Sequence, residues 1–313
     1  MKKTVYRITF AFSFILFAGA IFAQEIRVEG TKFVYPIVEK WLAEYKKENP
    51  KSTIRLEAGA SSQGEKVADL SVIVNSSADD NADGEKVVYV GRYALLPVSN
   101  VQNPLLEKAA KGLKKRDLID LVFEKDALDE DFDPEEKSKY TATIYSRNNE
   151  SSTTLALAEY FGQTPERIKG KKILGDEIYL ITAVQKDEKG IAFNTLNYVF
   201  DLNSRQLKSG ISLVPLQLKT KQKEALESDN IDNLISLLEE SKIETIPVEN
   251  FGLQISKEHL NNKDVVNFVK WILVHGQKYN HEYGFLNLDS KTLVFQKEQL
   301  DNNKEYLSYT KNY

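Results

Sequence analysis

The stretch EIRVEGTKFVYPIVEKWLAEYKKENP, residues 25–50, joins the pattern of a strand to the pattern of a helix. EIRV predicts a short strand, and Gly30 begins a turn directly after it. The apolar residues that follow lie at helical spacing on one face, and Pro50 ends the predicted helix. These apolar residues are Val34, Ile37, Val38, Trp41, Leu42 and Tyr45. A strand that leads straight into an amphipathic helix is typical of an α/β layer.

The same alternation continues beyond this first unit. The runs that predict strands are STIRLEAG (52–59), SVIV (71–74) and KVVYVG (86–91), with a turn and a short helix expected at ASSQGEKVADL. The pattern predicts a largely parallel sheet with helices packed on it. Ligands of such sheets sit at the carboxyl ends of strands, where GTKF (30–33) and GASS (59–62) lie.

A third strand-to-helix junction, RNNESSTT (147–154), lies in the middle of the chain. It connects the predicted strand TATIYSR (141–147) to a predicted helix over residues 153–161. The start of a helix carries unpaired N–H groups and the positive end of the helix dipole, so anions bind there. Hydroxyl side chains add donors, and the guanidinium of Arg147 matches two oxygens of a tetrahedral anion.

A simpler interpretation of this junction is helix capping. In that case Ser151 or Ser152 only caps the helix, and Arg147 is a surface charge. Taken alone, the segment favours capping. The joint presence of two further small-residue turns, GTKF and GASSQG, shifts the interpretation toward a binding site built between two domains.

The N-terminus, MKKTVYRITFAFSFILFAGAIFAQE, carries positive residues and then an apolar run over residues 8–22. The small residue Ala23 follows, so the pattern predicts a cleaved secretory signal peptide at residues 1–23. The alternative is a membrane anchor, but the run is shorter than the roughly 20 apolar residues that span a bilayer. Because the sequence has no cysteine, we expect neither an acylated lipoprotein nor disulfides. We expect an exported protein in a bacterial periplasm.

The exported chain has a negative net charge. The signal segment holds three of the 42 Lys and Arg residues and none of the 46 Asp and Glu residues, which leaves 39 − 46 = −7. This balance disfavours nucleic acid or an anionic membrane as the main partner, but it does not exclude a small anion at a locally positive site. The remaining 313 − 23 = 290 residues suit two domains.

The acidic stretch EKDALDEDFDPEEK (124–137) has one feature of a calcium loop. Three aspartates occupy alternate positions: Asp129, Asp131 and Asp133. However, Pro134 stands where such a loop needs glycine, and Tyr140 stands where it needs a bidentate glutamate. The stretch therefore predicts a solvated acidic loop rather than a calcium site.

Other metal, cofactor and catalytic sites have little support. The three histidines, which show no metal-ligand spacing, are His259, His275 and His281. No Walker loop is present, since GKKILG lacks the required ending. A hydrolase that uses Ser61 or Ser151 is a weak hypothesis, because neither serine lies in a GxSxG elbow beside a placed base. We expect no metal, no cofactor and no catalysis.

Several of these motifs together resemble the phosphate-binding proteins of ABC importers. GTKFVYPIVEKW followed by GASSQG resembles the start of that family, and RNNESST is similar to its R-x-x-x-S-G-T motif, with Ser152 in place of glycine. KGIAFNTLNYV and FVKWILVHGQKYNHEYGFLNL are similar to its later segments. The order of the motifs carries the resemblance across most of the exported chain.

The resemblance implies a type II periplasmic-binding-protein fold, in which two α/β lobes, each a mostly parallel sheet flanked by helices, close on an anion. Lobe 1 is expected over residues 24–95 and 250–313, and lobe 2 over residues 96–249. The ligand-binding residues that it implies are Thr31, Phe33, Ser61, Ser62, Arg147, Ser151, Ser152 and Thr153. It further implies a monomer that binds phosphate or a similar small anion and docks on an ABC permease in the inner membrane.

One position differs from the family pattern. Val74 or Asn75 stands where the phosphate binders have an aspartate that accepts a hydrogen from protonated phosphate. An asparagine can accept through its amide oxygen, but it lacks the charge that rejects sulfate. This difference motivates a second hypothesis: a sensor or interaction protein on the same fold that no longer transports.

Overall fold

The fold is described from a computed structural model that covers residues 25–57, 68–74, 85–125 and 139–309. Strands and helices alternate along the described chain. The strands are β1 (Ile26–Gly30), β2 (Ile54–Leu56), β3 (Leu70–Val74), β4 (Lys86–Asn100), β5 (Thr143–Arg147), β6 (Lys171–Ile173), β7 (Gly190–Thr195), β8 (Ile211–Leu213) and β9 (Val248–Ile255). The strand predicted over 86–91 therefore extends as far as Asn100.

The helices surround this sheet. They are α1 (Tyr35–Glu48), α2 (Leu105–Lys108), α3 (Lys115–Val122), α4 (Ser152–Tyr160), α5 (Ile178–Lys186), α6 (Leu196–Val199), α7 (Thr220–Glu227), α8 (Ile231–Glu240), α9 (Lys263–Trp271) and α10 (Ser290–Tyr309). The predicted helices that follow GTKF and RNNESSTT are confirmed as α1 and α4. A single π-helical turn, Ile272–Gly276, continues α9. In the described ranges, no helix has both the length and the apolar character needed to cross a membrane.

The described strands form one curved sheet in the order β2-β1-β3-β9-β4-β7-β5-β6, with β8 beside β4. The outer pairs in each half are parallel, as the alternation of strands and helices predicted. The central pairs made by β4 and β9 are antiparallel. The chain leaves the first half of the sheet through β4 and returns through β9, so these two strands must run in opposite directions.

Strand β4 belongs to both halves of the sheet. Its first part, from Lys86 to Ala94, pairs with β9, and its last part pairs with β7 and β8. Nearly every side chain from Gly91 to Asn100 is buried, so the alternation that marks a half-exposed strand is lost there. One long strand therefore connects the two lobes of a type II fold, as expected. The proposed lobe limits, 24–95 with 250–313 and 96–249, stay a prediction.

Helix α1 anchors the first lobe through its apolar face. Trp41 is fully buried, stacks on Phe251 with ring centroids 6.1 Å apart and donates its indole N–H to the carbonyl of Gly276 at 3.0 Å. Of the face predicted from the sequence, only Leu42 is half-buried, and the rest is buried. The strand-to-turn-to-helix unit that opens the chain is thus fixed in position by the core beneath it.

Several sequence predictions fall outside the described residues. The predicted signal peptide at 1–23 is one of them. The central part of the acidic stretch, with Asp129, Asp131 and Asp133, is another. Within the ranges that are described, no group of three or more acidic or histidine side chains could hold a metal ion.

Candidate functional site

The first candidate junction lies where β1 ends and α1 approaches. Gly30 has φ +129°, and a Cβ atom there would overlap the backbone of Val72, so this position requires glycine. The next residue, Thr31, donates its N–H to the carbonyl of Val72 at 3.1 Å. A 3₁₀ turn, Lys32–Val34, then leads into α1. Thr31 is therefore held at the carboxyl end of β1, where the GTKF turn was expected to lie.

The side chain of Phe33, unlike that of Thr31, packs in the hydrophobic core. Its ring is fully buried and packs against Tyr93 and Phe285, with centroids 5.2 and 6.2 Å away. Only the backbone of Phe33 can therefore face a ligand. Its carbonyl accepts a hydrogen bond from the side chain of Asn197 at 2.9 Å, a contact that bridges 164 residues of chain.

The second junction connects β5 to α4. Ser151 is the N-cap residue of α4, yet its side chain makes no capping hydrogen bond. Its hydroxyl instead lies 3.0 Å from the hydroxyl of Thr153. The Arg147 side chain, at the end of β5, is only 11% exposed. Of the capping interpretation, in which Ser151 or Ser152 caps the helix and Arg147 is a surface charge, two parts are wrong: the Ser151 side chain does not cap α4, and Arg147 is not an exposed charge.

The two junctions meet. The hydroxyl oxygen of Thr31 lies 3.4 Å from that of Ser152, the first residue of α4. These two groups lie on different lobes and are 121 residues apart in sequence. The structure therefore places two pairs of hydroxyls at the start of α4: Thr31 with Ser152, and Ser151 with Thr153.

A carboxylate that was not predicted from the sequence, that of Glu177, lies beside these hydroxyls. Oε1 of Glu177, the residue before α5, is 3.5 Å from Oγ1 of Thr153 and 3.7 Å from Nε of Arg147. Glu177 is 8% exposed, and this burial raises its pKa, although Arg147 and its own N–H act in the opposite direction. Asp176 next to it raises the pKa further.

The guanidinium of Arg147 can donate a further hydrogen bond. Its Nη1 donates to the carbonyl of Ile173 at 3.0 Å, which fixes the orientation of the group. Its Nε is buried and has no hydrogen-bond partner among the described residues. A buried cationic N–H without a partner is costly, so a ligand oxygen at this place would be stabilised.

Residues of β7 and α6 hold Glu177 and Asp176 in position through hydrogen bonds. Asn194 donates to the carbonyl of Glu177 at 2.8 Å, and Tyr198 donates its hydroxyl to Asp176 at 2.9 Å. Burial, together with the hydrogen bond to Asp176, raises the pKa of Tyr198, so the phenol stays protonated as a donor. This segment is KGIAFNTLNYV, in which no ligand-binding residue was predicted from the sequence.

The predicted residues Ser61 and Ser62 lie outside the described residues. Their assignment to the site stays a prediction. The same holds for Asn75, the alternative acceptor position.

Comparisons with known proteins agree with the type II fold. A structure of a phosphate ABC transporter substrate-binding protein with bound phosphate from Clostridium perfringens has a TM-score of 0.55 and 15% identity, covering 85% of this chain and 100% of that one. An ABC-type phosphate transport receptor from Vibrio cholerae has a TM-score of 0.55 and 14% identity, covering 84% and 100%. The regulatory domain of MetR, a LysR-family regulator from N. meningitidis, has a TM-score of 0.50 and 15% identity, covering 85% and 98%.

At these identities, the structural matches show the fold alone. A comparison with curated protein sequences finds no match. The model of the PBP superfamily domain matches residues 19–250, which is most of the chain. This protein therefore belongs to the PBP superfamily.

Proposed function

We propose that the protein is a periplasmic solute-binding protein that captures a small tetrahedral oxyanion for an ABC importer. Phosphate is the first candidate for this anion. The observation that carries the proposal is the 3.4 Å contact between the hydroxyls of Thr31 and Ser152 across the two lobes. Each hydroxyl lies at a strand-to-helix junction, and the second junction also carries Arg147, whose side chain is 11% exposed. Membership of the PBP superfamily supports a binding role.

The chemistry of the site fits a compact anion. The N–H groups in the first turn of α4 and the hydroxyls of Ser151, Ser152 and Thr153 are donors that can replace the water shell of an oxyanion. The guanidinium of Arg147 adds charge and a free Nε–H. A tetrahedral anion offers oxygens in several directions, so it can bind donors from both lobes at once.

Binding is the proposed activity, without a chemical step. An anion held by Thr31 on one lobe and by α4 on the other stabilises the closed arrangement of the lobes. The closed protein, expected to be a monomer, would then dock on the permease in the inner membrane. Export through a cleaved signal peptide at residues 1–23 is part of the same proposal.

Isothermal titration tests this function. The exported protein is unfolded in guanidinium, dialysed and refolded to remove bound anions, and is then titrated with phosphate. We expect saturable one-to-one binding that Arg147→Gln weakens by about tenfold or more, since hydrogen bonds to charged groups contribute about 1.5–3 kcal/mol. Arg116→Gln, at an exposed arginine of α3, serves as the control and should bind as the unmodified protein does. The absence of heat with phosphate, arsenate and sulfate would contradict the proposal.

A second candidate is a sensor that binds the anion without delivering it. The observation that favours it is the fold match to the regulatory domain of a LysR-family regulator. The growth of a bacterial strain that carries this gene distinguishes the two candidate functions. If the protein transports, Arg147→Ala slows growth on limiting phosphate; if it only senses, growth is unchanged while anion binding in vitro is still lost.

A further inference from the structure

A surface depression of about 640 Å³ lies where α3 and α7 begin, beside the turn that follows α8. We call it the basic depression. We propose that it is a second anion site, separate from the cleft, and that it binds an oligophosphate, which is an anion with two or more linked or adjacent phosphate groups. This second site is independent of the proposed function, because it shares no residue with the cleft.

The two helices begin side by side because the segments before them pair. Leu113 and Leu216 form a parallel bridge. The N–H of Leu113 donates to the carbonyl of Pro215 at 2.8 Å, and the N–H of Gln217 donates to the carbonyl of Leu113 at 2.9 Å. Both helices begin within a few residues of this bridge. The pairing therefore brings two helix N-termini, each the positive end of a helix dipole, to one depression.

Cationic side chains are concentrated in the lining, although the exported chain as a whole is acidic. Among the described residues, none of these cations forms an ion pair, and the lining includes one carboxylate, that of Glu244. Like charges that lie close together repel, so a bound anion would stabilise the cluster. The cations are Lys114, Lys115, Arg116, Lys219 and Lys242.

Most of these cations stand at the end of a helix where the backbone disfavours them. Lys114 is the N-cap residue of α3, and Lys219 is the N-cap residue of α7. The first turn of α7 holds no acidic residue, and that of α3 holds only Asp117. Helix N-termini favour negative groups, and a local rule of this kind is broken chiefly at functional sites. An anion between the two N-termini would interact favourably with the free N–H groups and with the lysines.

A buried hydroxyl in the wall of the depression is a second, independent sign of a ligand. Thr245 is only 5% exposed and belongs to the lining. Its Oγ1 is buried and has no hydrogen-bond partner among the described residues. Leaving a buried hydroxyl unpaired is costly, so a ligand oxygen at this place would be stabilised. A surface that only carries solvated lysines would not explain this hydroxyl.

The turn that carries Thr245 is held in place. The N–H of Ile246 donates to the carbonyl of Ile243 at 3.1 Å, and the hydroxyl of Tyr160 donates to the same carbonyl at 3.2 Å. The ammonium of Lys115 lies 5.3 Å from the centre of the Tyr160 ring, which connects the start of α3 to this turn. The depression is therefore formed before any ligand binds.

The position of Tyr160 also separates the depression from the cleft. Tyr160 is the last residue of α4, whereas Ser152, at the cleft, is the first. With a rise of 1.5 Å per residue, the two ends of this helix are about 12 Å apart. A single phosphate in the cleft cannot reach across this distance to the cations of the depression.

The arrangement of the cations fits several phosphates better than one. They come from three separate segments, namely the starts of α3 and α7 and the turn after α8. Linked phosphates can contact all three segments at once, whereas a single phosphate cannot. Four of the five cations are lysines, whose ammonium is a flexible point charge, so the site selects for charge more than for exact geometry.

Isothermal titration of the refolded, anion-free exported protein with inorganic triphosphate tests the site. We use the Arg147→Gln protein, in which the cleft is weakened. We expect one triphosphate per chain, bound at least about tenfold more tightly than phosphate and more weakly as salt is added. Lys114→Gln with Lys219→Gln should weaken binding by about five- to thirtyfold, the effect of two exposed ion pairs. Lys46→Gln with Lys257→Gln removes the same charge at exposed lysines elsewhere and should have no effect.

Two single variants separate the depression from the cleft and from a structural role. Arg116→Gln should weaken triphosphate binding by about two- to fivefold and leave phosphate binding unchanged, whereas Arg147→Gln should weaken phosphate binding only. Thr245→Val should weaken triphosphate binding by about tenfold without lowering stability in the absence of anion, because the hydroxyl has no partner there. Lower stability with unchanged triphosphate affinity would assign Thr245 a structural role and count against the site.

Vesicle flotation distinguishes two sources of clustered phosphates. Phosphatidylcholine vesicles are compared with and without cardiolipin, whose headgroup carries two phosphates. Flotation with cardiolipin only, lost in the double lysine variant, would identify a lipid headgroup as a ligand; triphosphate binding without flotation would identify free oligophosphates. Both results support the site. The absence of triphosphate binding at low salt, or equal triphosphate affinities for the two double variants, would overturn it and leave the proposed function of the cleft untouched.

Discussion

The hydroxyl oxygens of Thr31 and Ser152 lie 3.4 Å apart, although 121 residues separate them in the chain. Thr31 directly follows strand β1, and Ser152 is the first residue of helix α4. Two strand-to-helix junctions thus face each other. In the proposed function, an anion bound at this place contacts both junctions at once.

Removing one of these hydroxyls should weaken anion binding. Ser152→Ala leaves the start of α4 intact but removes a donor at the lobe contact, so we expect phosphate affinity to fall by about tenfold, the effect of one hydrogen bond to a charged partner. Titration calorimetry measures the change. Ser236→Ala is the control, because Ser236 lies on the exposed side of α8 and donates to the carbonyl of Asp232 within its own helix. Equal phosphate affinities for Ser152→Ala and Ser236→Ala would show that the lobe contact does not bind the anion.

Arginine and lysine should not be interchangeable at position 147. Nη1 of Arg147 donates to the carbonyl of Ile173 at 3.0 Å while Nε stays available, and a lysine ammonium cannot reproduce this fork. We expect Arg147→Lys to weaken phosphate binding by about tenfold despite the conserved charge. Arg116→Lys, on an exposed part of α3, should have no effect. If Arg147→Lys bound phosphate normally, charge alone would account for the contribution of Arg147.

Glu177 should give the stability of the protein an unusual pH dependence. Burial raises its pKa above the ordinary value of 4.5; Asp176 adds to this effect, while its own N–H and Arg147 oppose it. The folded state therefore holds the proton more tightly than the unfolded state, and the contribution of Glu177 to stability falls as pH rises from 4.5 through the folded pKa.

The measurement is urea denaturation of the unmodified protein and of Glu177→Gln, without anion, from about pH 4 to about pH 8. We expect the free energy of unfolding of the unmodified protein, minus that of the variant, to decrease as the pH rises. Other titrating groups are common to both proteins and cancel in the difference. A difference that stays constant or increases with pH would be inconsistent with a raised pKa at Glu177.

Gly30 should be essential for the first junction. Because Gly30 has φ +129° and a Cβ would overlap the backbone of Val72, we expect Gly30→Ala to lower the free energy of unfolding by about 2–4 kcal/mol. Gly162→Ala is the matched control: φ there is +68°, and a Cβ would meet no heavy atom within 4 Å. Its cost should be only about 1 kcal/mol, from the left-handed backbone alone. Equal losses for the two variants in urea denaturation would contradict the close approach at Val72.

The sequence predicted the elements whose patterns are local. The strand and helix around Gly30 follow from an alternating segment and then from apolar residues at helical spacing, both of which a short window contains. The strand that ends at Arg147 and the helix α4 follow in the same way. The extent of β4 did not, because its second half is buried on both faces and carries no alternation.

The site was only partly predictable. Ser151 occupies an N-cap position, and no local rule reveals that its hydroxyl is directed at Thr153 instead of capping the helix. Glu177 lies beside Arg147 only because β5 and β6 pair in register, which brings Ile173 and the start of α5 to Arg147. Such a tertiary contact leaves no signal at any fixed spacing in the sequence.

A crystal structure of the exported protein with arsenate tests the central claim most directly, since arsenic gives an anomalous signal that locates the anion without ambiguity. The account predicts one arsenate between the lobes, with oxygens within about 3.2 Å of Thr31 Oγ1, Ser152 Oγ and the guanidinium of Arg147. An anomalous peak elsewhere on the protein, or none in this cleft at saturating arsenate, would contradict it.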